Sequence, residues 1–150
     1  MTEQAPLLQA VRGLVCALQA RLGDAVEVED EPLGGFVALA LGPTRTAGCP
    51  VSLLVDEHKV IVELSSLSGR WELGRTEADL HLLDRLLRGV TECGVVEVWA
   101  HRRSEVTVLL PGGGRESETG YDGCTTALVP LPFWRRWGRR TVYQPYVPIR

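Results

Sequence analysis

Two one-sided apolar stripes of helical period, separated by a run of short β-type segments, constrain the fold of this chain more than any other feature. In the first stripe Leu7, Val11, Leu14, Val15, Leu18 and Leu22 recur at helical spacing, which predicts a helix over 6–22. Pro6 suits its first turn and Gly23 its carboxyl end. In the second, Leu80, Leu83, Leu86, Leu87 and Val90 predict a helix over 77–93, opened by Thr76 and Asp79 as a capping box and ended at Gly89 or Gly94. Each stripe needs a surface to cover it, and the segments between them are built to make that surface.

Residues 25–28 and 36–41 read as strands on either side of Pro32-Leu33-Gly34-Gly35, a turn signal. The segment 36–41 is apolar throughout and is expected to be well buried. Residues 51–55 and 60–64 flank Asp56-Glu57-His58-Lys59, the pattern of a hairpin with a polar turn. The second of these strands is expected to run on, through a bend at Ser68-Gly69, toward Trp71 and Leu73. Beyond the second helix, 95–100 and 106–110 form another strand pair. Val96, Val98 and Ala100 there alternate with Val95, Glu97 and Trp99, so both faces are expected to be partly covered. Residues 112–123 read as a polar glycine-rich loop, 125–131 as a possible extra strand, and 132–150 as an irregular tail rich in Pro, Trp and Arg. The expected fold is a single α+β domain over 1–150. It has an antiparallel sheet of five or more strands, two main helices packed on it, and the order α-β-β-β-β-α-β-β.

At 150 residues the chain is long enough to hold a core without a disulfide or metal staple. The net charge of −3 argues against a non-specific nucleic-acid binder. The charge is uneven: Glu27, Glu29, Asp30 and Glu31 cluster early, and no acid follows Asp122, whereas Arg135, Arg136, Arg139, Arg140 and Arg150 do. The acidic cluster lacks the ligand spacing of a calcium loop and reads as a solvated strand edge. No stretch is apolar enough to span a membrane, and Met1-Thr2-Glu3-Gln4 does not open a secretory signal, so the cytoplasm is the expected location. Cys16, Cys49, Cys93 and Cys124 form no close pair; reduced, uncrosslinked thiols and no zinc site are expected. The histidines His58, His81 and His101 have no metal spacing.

Catalytic signatures are sparse. Gly112-Gly113-Gly114 lacks the Lys-Ser or Lys-Thr of a phosphate loop, and no helix pattern begins there. Cys124 beside Asp122, with one of the histidines, has the residue types of a thiol nucleophile, but no local family signature accompanies it. The most unusual segment is Phe133, Trp134, Arg135, Arg136, Trp137, Arg139 and Arg140. Trp and Arg are enriched at protein-binding hot spots, and the same pair can stack on bases and neutralise phosphates. Alternatively, Trp134 and Trp137 pack on the core while the arginines face water.

The helix 80–87, Leu-His-Leu-Leu-Asp-Arg-Leu-Leu, leads into the hairpin 95–110. Together with helix 6–22 and the strands between, this order resembles the type III secretion chaperone-like fold and its YbjN relatives. The resemblance implies a homodimer that binds a protein partner and brings no catalytic or cofactor-binding residues. The closing third helix of that family has no counterpart pattern here. Two readings result: a non-enzymatic protein-binding module, chaperone-like or regulatory, with the residues 133–140 as its contact; or a small enzyme or anion- or nucleic-acid-binding domain using the Gly112 to Cys124 loop and the arginine-rich tail.

Overall fold

The computed structural model describes residues 6–64, 69–123 and 125–147; Ser68, Cys124, Pro148, Arg150 and the amino-terminal Met1 to Gln4 lie outside these. Helix α1 (Pro6–Leu22) buries Leu7, Val11, Val15, Leu18 and Leu22. Five strands follow: β1 (Val26–Leu33), β2 (Phe36–Pro43), β3 (Val51–Val55), β4 (Val60–Glu63) and β5 (Arg70–Leu73). They form an antiparallel meander in sequence order. The β3–β4 turn is closed by Asp56, whose Oδ1 accepts from the backbone N–H of His58 at 2.7 Å and of Lys59 at 2.8 Å. Helix α2 (Glu77–Arg88) opens with the expected box: Asp79 N–H donates to Thr76 Oγ1, and Thr76 N–H donates to Asp79. The fold is α+β, as expected.

The strands are divided between two sheets. The second contains β6 (Val95–Ala100), β7 (Arg103–Leu109), β8 (Arg115–Tyr121) and β9 (Arg139–Tyr143) in the order β8-β7-β6-β9. Three strands joined by hairpins, with the fourth returning beside the first, make a Greek key. Several sequence expectations change here. The polar loop 112–123 is a turn followed by β8, whose residues Ser117, Glu118 and Thr119 pair with β7. It escapes apolar patterning because β8 is an edge strand facing water. The expected strand 125–131 is a 3-10 turn at Thr126–Leu128 followed by extended chain. The tail is not irregular: it holds a one-turn helix α3 (Trp134–Trp137) and β9. The segment 36–41 is buried on one face only; Leu39 and Leu41 point inward and Ala40 is exposed. Helix 77–93 is α-helical to Arg88 and ends in a π turn, Gly89–Cys93, where Gly94 N–H bonds Gly89 C=O.

One continuous core joins the two helices, the inner face of the five-stranded sheet and Val95, Val106 and Val108 of the second sheet. A row Leu39–Leu53–Val62–Trp71 crosses the first sheet on that face. Tyr146, past the end of β9, is fully buried at the joint between the sheets. Its hydroxyl donates to Cys49 C=O at 2.6 Å, its N–H to Thr91 C=O, and Gln144 N–H to Ala47 C=O. A Cβ on Gly48 would stand 2.8 Å from the ring, so the loop passes over Tyr146 only because that residue is glycine. Tyr146→Ala should therefore cost about 3–5 kcal/mol, measured as a lower denaturant midpoint; a loss below about 1 kcal/mol would contradict this account of the joint.

Candidate functional site

Most of the residues singled out in the sequence gather on the outer side of the second sheet, where the chain crosses from β8 to β9; Arg139, paired with Trp99, falls on the opposite face. Alternation along paired strands places Val98, Arg103 and Glu105 on that outer face. The crossover is pinned to it at three points. Arg103, 4% exposed, donates from Nη1 to Val129 C=O at 3.2 Å, from Nη2 to Thr126 C=O at 3.4 Å, and from Nε to His101 C=O. Arg135 bonds Glu105 at 2.7 Å and stacks on the Trp134 ring at 4.6 Å. Gly138 lies so close that a Cβ would stand 2.5 Å from Trp99 C=O and 2.8 Å from Val98 Cγ1.

The tail residues separate into two sets. Trp134 is buried, while Phe133 and Trp137 are exposed, so three residues' spacing puts one indole in and one out. Phe133 holds a left-handed backbone, φ 59°, an uncommon state for a bulky residue that costs about 1–3 kcal/mol. Its ring stands in water with the Arg136 guanidinium 5.4 Å from its centroid. Trp137 Nε1 donates to Pro132 C=O at 3.1 Å, which fixes its ring while leaving its faces open. Leu128, Val129, Phe133, Trp137 and Val142 are each more than half exposed. A groove of about 510 Å³ runs between the crossover and α3, lined by Arg103, Val129, Leu131, Phe133 and Arg136. Arg136, Arg139 and Arg140 make no ion pair among the described residues. Leu128, Val129 and Val142 carried no sequence signal of their own; only their placement beside the aromatic residues brings them into the site.

The sites of the enzymatic reading lie elsewhere or apart. Gly112 and Gly113 form the β7–β8 turn, and the cysteine at 124 lies outside the described residues. Cys49 is buried at the sheet joint; burial, then the nearby Glu97 charge, pushes its thiol up to about 12. Burial likewise raises Cys93. Neither thiol is poised as a nucleophile. Among the described residues no three His, Cys, Asp or Glu side chains approach closely enough to hold a metal, and Cys16, Cys49 and Cys93 are free. No helix among them is long and apolar enough to cross a membrane.

Sequence reading missed Glu97, which is 2% exposed on the inner face of β6. Its Oε2 accepts from the Tyr143 hydroxyl at 3.2 Å, and among the described residues Oε1 has no partner. Burial raises its pKa, and the hydrogen bonds from the Tyr143 and Trp99 side chains only partly offset this. Tyr143 itself is pushed up to about 12, by burial and then by the Glu97 charge, so it stays a donor. Comparison with protein-family models, with curated proteins and with solved structures returns no match for this chain.

Two outcomes follow from this geometry. Arg103→Ala should loosen the crossover, costing on the order of 2 kcal/mol for lost charge-assisted bonds, and limited proteolysis should then cut within 125–133, where the parent protein resists. For Glu97 the raised folded pKa means that its contribution to stability is complete below the unfolded value near 4.3 and is lost as pH rises through the folded value. Glu97→Gln removes that loss, so it should melt higher than the parent at neutral pH, with the gap closing toward about pH 4. Thermal melts across that range test it, and a variant that melts lower at neutral pH would contradict the assignment.

Proposed function

We propose that this chain is a non-enzymatic protein-binding module, chaperone-like or regulatory, that works in the cytoplasm and engages another protein through the outer face of its second sheet. The observation that carries the reading is the company of Phe133 and Trp137. Five exposed apolar side chains lie on one crossover and its neighbouring strand, beside Arg136 and Arg140, which make no ion pair among the described residues. Contact patches of this make-up, with aromatic anchors and arginines, are where binding energy concentrates at protein interfaces. A soluble domain that uses no partner gains nothing by holding Phe133 in a strained backbone with its ring in water. The chemistry fits the chaperone-like class that the element order resembles, with two departures: a third strand, β8, extends the hairpin after α2, and α3 and β9 stand where that class has a helix.

The test is a paired one. Phe133→Ser/Trp137→Ser should leave the melting temperature within a few degrees, because both rings are exposed. The same variant should lose at least tenfold in affinity for a partner recovered from the native host, a difference of about 1.4 kcal/mol. Unchanged affinity would remove this face from consideration.

A further inference from the structure

Four sheet edges are open among the described residues: β1 and β5 in the first sheet, β8 and β9 in the second. Open edges offer unpaired backbone groups and recruit another strand unless charge or coverage prevents it. Their charges differ sharply. On β1, Glu27, Glu29 and Glu31 are exposed on one face of the strand, and of its acids only Asp30 is paired, with Arg12 at 2.9 Å. On β9, Arg139 and Arg140 are exposed and make no ion pair among the described residues, with Arg136 just before them.

We propose that β9 and its Arg–Trp neighbours dock on the β1 edge of a second copy of this chain, basic strand against acidic strand. The proposal rests on the reading of this face as protein-docking and names its occupant. Edge pairing of β1 with another β1, or of β9 with another β9, sets like charges opposite one another, which destabilises a strand pair. The β5 edge is already neutralised, because Arg70 bonds both Glu63 and Glu72. On β8, Glu116 and Glu118 are half-buried on the side turned toward the core. The pairing of β9 with β1 is thus the one that brings exposed opposite charges together. Length agrees, since the eight residues of β1 can accept all five of β9. A shallow trough of about 210 Å³ beside β1, between Glu27, Glu29, Ala40, Gly42 and Pro50, gives an exposed ring such as Trp137 a small-residue floor to lie on. The contact joins two different surfaces. It satisfies both edges of two copies at once in a twofold pair, or passes from copy to copy where the geometry does not close.

The experiment is a charge swap read by light scattering or sedimentation at micromolar concentration and low salt. The parent protein should exceed the monomer mass and return to it in molar salt, where charges are screened beyond about 3 Å. Arg139→Glu/Arg140→Glu and Glu27→Arg/Glu29→Arg should each be monomeric with unchanged melting, since these exposed side chains make no ion pair among the described residues. Mixed in equal amounts, the two variants should associate again, because each then presents the edge the other lacks. A parent protein that is monomeric at low salt overturns the proposal, as does a mixture that stays monomeric while the parent associates. The protein-docking reading fails separately, through the Phe133→Ser/Trp137→Ser capture experiment: a monomeric parent whose host partner is still lost in that variant removes the self-docking and keeps the face.

Discussion

Strand β6 has to be covered on both of its faces, and most of the carboxyl-terminal half follows from that requirement. Val95 and Glu97 point into the common core, while Val98, on the opposite side, is only 6% exposed. A strand with one face in the core and another apolar face in water would leave that second face as a patch. Here the chain itself supplies the cover. It leaves β8 at one edge, passes over β7 and β6, and comes down as β9 on the far side of β6. Trp134 and Gly138 seal Val98 from above, and the absence of a Cβ at Gly138 sets how closely the crossover approaches. Tyr146 then closes the joint to the first sheet. The Greek-key order is thus the topological record of one strand being wrapped.

The two charged residues buried on this sheet sit on opposite faces and are treated differently. Arg103, outside, is met by three backbone carbonyls and by the Tyr121 ring at 5.8 Å. No carboxylate pairs with it among the described residues, so its guanidinium works as a planar clamp for the crossover, which a lysine could not copy. Glu97, inside, is met by the Tyr143 phenol and the Trp99 side chain, and its burial is answered by a raised pKa instead of a counter-charge. Breaking a buried ion pair is costly because it strands a charge; among the described residues neither residue is held by such a pair, and Glu97 keeps one oxygen without a partner.

What the sequence made legible was the part whose residues answer to a single surface. The α1 stripe, the Thr76–Asp79 cap and the polar turn after β3 match the structure almost residue for residue, because local chemistry decides each of them. Strand β8 was illegible because an edge strand with water on one face needs no apolar alternation; it is held by backbone pairing and by contacts such as Thr107 to Ser117 at 2.8 Å. Strand β9 was hidden for a related reason. Arg139-Arg140-Thr141-Val142-Tyr143 reads as a charged tail, and only the need of β6 for a second neighbour makes it a strand. The tail residues stood out in the sequence as unusual, but sequence spacing could not divide Trp134, which is buried on the outer face of the second sheet, from Trp137, which is exposed. That division depends on a left-handed turn at Phe133 that no propensity would assign to a phenylalanine.

The same turn separates the side chains that hold the crossover from those that stand in water. Everything that holds the crossover lies below it: Trp134, Gly138, the Arg103 clamp and the Glu105–Arg135 pair. Everything above it, namely Phe133, Trp137 and the unpaired arginines, contributes little to the fold, because exposed side chains away from such features change stability by only a few tenths of a kcal/mol. A surface so decoupled can present an apolar and basic face without weakening the domain that carries it. The acidic strand β1 belongs to the other sheet and has a separate set of internal contacts, so the two charged edges are each rigidly held and neither is needed by the other within one chain. In the proposed pairing of these two strands the opposite charges would act mainly on orientation and encounter rate, since electrostatic complementarity across an interface does this more than it adds raw affinity.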